Sequence, residues 1–227
     1  MIYCGDRWAN FAGNGLGYNQ WCPLSFDGEI PYFNSLNSWN LDAKTGEWEV
    51  ANDNNFIMNG SFEADRKRIP SVVKPIQEQL TGWATKIIKG NRINLDSASS
   101  PDLNYFNTLS DRKMVIGEKS LKIGDKVNFE RKVFQIISSS PYVNLEEGIY
   151  TLSAKFKNNN GFNNLSIYAL SKGKMFKYKI IGENASWQTI TLKNILVKDG
   201  KVEIGFLANG KANALCFIDD VSLVKTQ

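Results

Sequence analysis

The chain has 227 residues, 42% of them hydrophobic, with 27 Lys and Arg against 23 Asp and Glu and no histidine. That length supplies a real core without covalent staples, and the scattered charge, a net +4 spread through Asn- and Ser-rich turns, lacks the basic stripe that nucleic acid requires. The missing histidine excludes a serine triad and a histidine-based zinc site.

From Met1 to about Asn52 the sequence is crowded with aromatics, among them Tyr3, Trp8, Trp21, Phe26, Tyr32, Phe33, Trp39 and Trp48. It reads as short strands: Ile2 to Trp8, Asn19 to Phe26, an Asp27-Gly28 turn, then Ile30 to Phe33. Gly13-Asn14-Gly15-Leu16-Gly17 is a loop, without the lysine and helix of a phosphate cradle. About 50 residues cannot hold a core of their own, so this segment must dock on something. It should pack on the rest of the chain or pair with another copy through its edges.

From Asn54 onward the pattern changes to longer strands alternating with period two. They run over Lys119–Ile123, Val127–Ile137, Gly148–Lys157, Asn164–Leu170, Phe176–Ile181, Trp187–Val197, Lys201–Leu207 and Leu215–Val224. Eight such strands without an amphipathic helix predict an all-β chain, an antiparallel β-sandwich or jelly roll. Tyr150, Leu152, Ala154 and Phe156 form its inner face, with Thr151, Ser153 and Lys155 turned outward, and Trp83 and Trp187 belong to the core. Pro70 and Pro75 make 69–80 a loop, and Asn94 to Arg112 reads as a long surface loop carrying Tyr105 and Phe106.

Cys4, Cys22 and Cys216 are odd in number and show no C-x-x-C spacing. A Cys4–Cys22 bridge is open if the two lie on neighbouring strands; three reduced thiols are the expectation. No apolar stretch approaches the roughly 20 residues that span a bilayer, and the N-terminus carries no export signal. Neither a membrane nor nucleic acid is therefore an expected partner.

Residues 1–53 resemble the end of a family 43 glycoside hydrolase, a five-bladed β-propeller. The resemblance rests on Tyr3-Cys4-Gly5-Asp6-Arg7-Trp8, on Tyr18 to Phe26, and on Trp39-Asn40-Leu41-Asp42. It implies a few strands from an incomplete propeller whose three catalytic acids lie on earlier blades, outside this chain. Residues 54–227 resemble carbohydrate-binding modules of the family 4 and 9 type, galactose-binding-like jelly rolls. The matching phrases are Asn59-Gly60-Ser61-Phe62-Glu63, Gly82-Trp83, Gly117 to Leu121, Gly148 to Ala154 and Phe217 to Leu223.

Acidic residues set among strand-forming apolar ones lose hydration and need a donor or a cation. In modules of this type a calcium ion joins the first strand to the last. The resemblance therefore implies Ca2+ held by Glu63, by Asp219 or Asp220, and by the Lys119 carbonyl, within a shell of about six to eight oxygens. The alternative is that Glu63 pairs with a lysine and the aspartates cap strand ends.

Sugar recognition needs aromatic faces against pyranose C–H groups, with amides and charged groups for the hydroxyls. Tyr105 and Phe106, supported by Arg112, are the first candidates, and Phe162 among its asparagines is the second. Arg131 and Gln135 could present themselves on a sheet face, which a solvated face explains equally well. Glycosidic hydrolysis normally uses two carboxylates about 5 to 9 Å apart, and Asp6, Asp42, Glu63, Asp219 and Asp220 are the only acids in suggestive settings. Catalysis by this chain alone is not expected.

The reading is a non-catalytic module that tethers an extracytoplasmic polysaccharide-degrading enzyme to its polysaccharide or oligosaccharide. Its other partner would be an upstream catalytic propeller or another copy of the chain. The rivals are a structural sandwich that stabilises a propeller and binds no sugar, and part of an arabinofuranosidase- or xylosidase-type hydrolase whose catalytic acids lie outside this chain.

Overall fold

In the computed structural model residues 1–7, 18–62, 82–91, 103–104 and 120–226 are described. Among them run fifteen strands: β1 (Ile2–Arg7), β2 (Tyr18–Asp27), β3 (Ile30–Phe33), β4 (Trp39–Leu41), β5 (Trp48–Val50), β6 (Ala84–Lys89), β7 (Leu103–Asn104), β8 (Ser120–Gly124), β9 (Phe129–Ser138), β10 (Gly148–Asn158), β11 (Phe162–Ser171), β12 (Lys174–Lys179), β13 (Asn184–Val197), β14 (Lys201–Gly210) and β15 (Leu215–Lys225). No helix among the described residues is long and apolar enough to cross a membrane.

Two five-stranded sheets, ordered β12-β11-β14-β9-β6 and β13-β10-β15-β8-β7, form an antiparallel sandwich. Period-two alternation builds it, because successive side chains of a strand point to opposite faces. On β10 the burial pattern places Tyr150, Leu152, Ala154 and Phe156 inside, each at most 1% exposed. Val202, Ile204, Phe206 and Ala208 of β14 meet them from the other sheet. The Asp199-Gly200 turn, both residues at positive φ (57° and 59°), carries β13 into β14 across the sandwich.

The eight strands expected between Lys119 and Val224 are β8 to β15, with ends shifted by a few residues. Two further strands of the sandwich, and the β4 and β5 strands before it, were not anticipated. Ala84–Lys89 is too short and too lysine-rich to show periodicity, and Leu103–Asn104 lies inside the stretch expected to be loop, where it pairs with Leu121 and Ser120. Trp83 is 2% exposed in the core, whereas Trp187 is only partly buried. The reason is position: β13 is an edge strand with a neighbour on one side.

The segment before the sandwich is stitched to β15. Asn55 acts as a clip, its Oδ1 accepting from the Leu223 amide at 2.9 Å and its Nδ2 donating to the Val221 carbonyl at 3.1 Å. An aromatic column then leads inward: Phe62 against Trp83 (5.5 Å between centroids), Trp83 stacked on Phe206 (5.6 Å), Phe206 edge-on to Phe156 (5.5 Å). Trp83 Nε1 donates to the Asn59 carbonyl at 3.1 Å, so its polar edge is satisfied while the ring fills the core.

The N-terminal arm is a separate three-stranded sheet, β1-β2-β3, followed by the β4-β5 hairpin. Its register puts Tyr3, Cys22, Leu24 and Phe33 on one face and Cys4, Trp21 and Tyr32 on the other. Cys4 and Cys22 therefore point to opposite sides, and all three thiols are free. Trp21 is 61% exposed, so the arm leaves large apolar groups in water. It touches the sandwich where Tyr32 meets Tyr142, ring centroids 5.2 Å apart.

Candidate functional site

The strand alternation decides first what the expected metal ligands can do. Asp219 is 3% exposed, with Oδ1 accepting from the Asp220 amide at 2.7 Å. Asp220 sits at φ 51° in an irregular stretch of β15, and its exposed carboxylate is ion-paired to Lys155 at 3.2 Å. Of the two, Asp219 is the one with the burial of a structural ligand. Glu63 and Lys119 lie outside the described residues, but their chain neighbours converge here: Gly60 O accepts from the Val221 amide at 3.0 Å, and Leu121 pairs with Ile218. Among the described residues Asp219 is not joined by further acids in a group that could hold a metal ion.

Tyr105, Phe106 and Arg112 also lie outside the described residues. Phe162 packs edge-on against Phe129 at 6.0 Å, and its ring belongs to the rim of the core. Arg131 and Gln135 do not face outward. They share the inner face of β9 with Phe129, Val133 and Ile137, and both are committed to the fold.

Arg131 forms a buried ion pair with Asp125 at 2.9 Å and donates to the Gly124 carbonyl. Burial opposes the Asp125 charge, yet hydrogen bonds from Asn91 and Val127 and the Arg131 guanidinium outweigh it and hold the carboxyl below its ordinary range. Gln135 donates to the Met58 and Gly82 carbonyls at 2.9 and 2.7 Å and accepts from the Met58 amide at 2.8 Å. Asp42, another acid in a suggestive setting, caps its own hairpin turn by accepting from the Lys44 and Thr45 amides.

The outer face of the first sheet carries an aromatic pair that the sequence reading passed over. Tyr168 and Phe134 flank Gly205 in one cross-strand row. Lys132 Nζ lies 4.4 Å from the Phe134 centroid and 5.7 Å from that of Tyr168, and is ion-paired to Glu203 at 2.8 Å. Tyr168 Oη donates to the same carboxylate at 2.8 Å. Burial and then Glu203 push the phenol pKa up. At 1% exposure Tyr168 offers no free ring face, so this platform is filled by the chain itself.

An open cleft of about 650 Å³ lies where the arm meets the sandwich. Tyr32, Phe33, Asn34 and Asn37 line the arm side, and Asn54, Asn59 and Ser61 come from the linking segment. Ile136, Ser138, Ser140 and Asp220 close the sandwich side. Gln135 positions this cleft by clamping the Met58 backbone to Gly82, and Asn54 Oδ1 shapes the arm by accepting from the Asn37 and Ser38 amides. An exposed aromatic ring beside amides and hydroxyls, with no lysine or arginine among the described lining residues, suits a neutral polyhydroxylated ligand. The signal in the sequence was the Asn-rich stretch from Asn34 to Asn59, which period-two reasoning treats as mere linker.

No family model matches the sequence, and no curated protein is similar to it. Among solved structures the chain is similar to a family 61 carbohydrate-binding module in complex with β-1,4-galactotriose, at 16% identity and a TM-score of 0.51, over 76% of this chain and 99% of that one. It is also similar to the enzymatically active domain of tailspike protein 4 of bacteriophage CBA120, at 15% identity and a TM-score of 0.49, over 76% of this chain and 21% of that one. A family 4 carbohydrate-binding module aligns at 17% identity and a TM-score of 0.38, over 75% and 99%. At such identities the likeness is one of fold alone: the sandwich is a jelly roll, as in the family 61 module.

Proposed function

We propose that the chain is a non-catalytic carbohydrate-binding module. The observation that carries this reading is the cleft, where the exposed ring of Tyr32 stands among asparagine and serine side chains with no lysine or arginine among the described lining residues. The jelly-roll likeness supports it by analogy of fold. Its ligand is a plant or host polysaccharide, of the arabinan, xylan or galactan kind, and its role is to hold that polymer near an extracytoplasmic catalytic domain, raising effective concentration by tethering. In this reading that catalytic domain is a family 43 propeller, whose last strands residues 1–53 resemble.

Calcium completes the scaffold in this reading, held by Asp219, Glu63 and the Lys119 carbonyl and joining the first phrase of the jelly roll to its last strand. No group of three or more His, Cys, Asp or Glu gathers among the described residues; Asp42 is held in its hairpin turn and Asp220 in an ion pair with Lys155. Affinity electrophoresis through gels containing arabinan, xylan, galactan or β-glucan tests the function. Retardation by at least one polymer is expected; unretarded migration in all of them favours a purely structural sandwich.

A further inference from the structure

The cleft has two sides of different origin, one from the arm and one from the sandwich. The geometry points to a composite site: residues 32–37 of the arm supply half of the binding surface for an uncharged glycan. This rests on the carbohydrate-binding reading above and says where, with what, and for which glycans it operates.

Asn34 is the first support. It is 2% exposed and lines the cleft. Its Nδ2 donates to the Pro23 carbonyl at 3.2 Å and to Ser25 Oγ at 2.9 Å. The carbonyl can only accept, so the orientation of the amide is fixed. Asn34 Oδ1 is thereby left buried with no donor among the described residues. Unpaired buried acceptors are rare and costly. A ligand hydroxyl brought to the arm wall is the kind of donor this atom lacks.

The second support is the ring of Tyr32, 43% exposed although it already touches Tyr142; Phe33 turns to the opposite face of the arm sheet, edge-on to Tyr3. Ile136, 51% exposed on the facing side, leaves the cleft apolar on both flanks. Flat apolar surfaces with polar groups between them match a pyranose, whose C–H faces are apolar and whose equatorial rim is hydroxylated.

Charge sets the ligand class. Asp220 is the one charged residue among the described lining residues, on a chain whose net charge is +4. Its carboxylate is already ion-paired to Lys155, and no lysine or arginine stands among the described lining residues to receive a uronate or a sulfate, so uncharged glycans are favoured. Neutral galactan, arabinan, xylan or glucan chains fit.

The test is an NMR titration of the 15N-labelled full chain with neutral oligosaccharides of those four kinds and with oligogalacturonate. Expected are saturable shifts at Tyr32, Asn37, Asn59 and Ser138 amides and at the Asn34 side-chain amide, for neutral sugars only. Tyr32→Ala should then weaken binding about tenfold or more, and the wild-type shifts keep the proposal testable if that variant loosens the arm. Shifts confined to Lys132, Glu203 and Lys177 on the outer sheet face, with the arm silent, would overturn the composite site and leave carbohydrate binding intact. Shifts with oligogalacturonate alone would overturn the neutral class. No shifts with any sugar would overturn the function on which the inference rests.

Discussion

The backbone amide of Val221 donates to the carbonyl of Gly60 at 3.0 Å, joining the segment that enters the sandwich to the strand that ends it. The approach is close enough that a Cβ built on Gly60 would overlap the Val221 carbonyl oxygen. Gly60→Ala must therefore push the segment off β15, disturbing the Asn55 clip and the seat of Phe62. The expected cost is about 1–3 kcal/mol, the range for overpacking, read by urea denaturation. An unchanged midpoint would mean that the segment docks loosely.

Asp125 and Arg131 make the second stability test. Their pair is buried, with side chains 4% and 5% exposed, and Asp125 also accepts from the Asn91 amide at 2.8 Å. Removing one partner strands the other charge, so Asp125→Ala is expected to cost about 3 kcal/mol or more. Because the folded carboxyl titrates below its ordinary value near 3.9, the interaction stabilises the fold above that pH and is lost as pH falls through the depressed value. Acid unfolding curves of wild type and variant should converge below the ordinary carboxylate range; a constant gap down to the lowest pH would assign the effect to packing alone.

Thiol chemistry checks the arm. Cys4 is exposed, while Cys22 and Cys216 are buried. Burial raises the Cys22 thiol pKa, with a smaller contribution from Cys4, and burial likewise raises that of Cys216 against a backbone hydrogen bond from Ile123. An aromatic disulfide reagent should modify one thiol in the native protein and three in denaturant without reductant. Finding a single thiol in denaturant would reveal a Cys4–Cys22 bridge.

The calcium clasp has a separate readout. An ion that binds the folded state alone raises stability with its concentration, by about 2.7 kcal/mol at a hundredfold excess over Kd. Calcium should raise Tm, EDTA should lower it, and Asp219→Asn should abolish both responses while Asp220→Asn leaves them, since Asp220 is already paired with Lys155. A Tm indifferent to calcium and EDTA removes the metal from the scaffold.

The strands of the sandwich were legible because alternation on β10 and β14 is unbroken. The orientation of β9 was harder to read. Arg131 and Gln135 share parity with Phe129, Val133 and Ile137, which was visible in the sequence, yet polar character suggested solvent. The structure gives each buried partners, Asp125 and Gly124 for the arginine, Met58 and Gly82 for the glutamine. The cleft was illegible for another reason. Its walls come from residues 32–37, 54–61 and 135–143, and no local pattern announces that an arm and a strand end will face each other.

Isothermal titration of the intact chain with neutral galacto-, arabino-, xylo- and gluco-oligosaccharides is the most direct measure of what this protein does. Saturable heat with at least one of them, reduced by Tyr32→Ala and unaffected by Lys177→Ala on the exposed outer edge of the first sheet, is the expected result. Absence of binding to every neutral oligosaccharide at millimolar concentration, in protein shown to be folded, would contradict it.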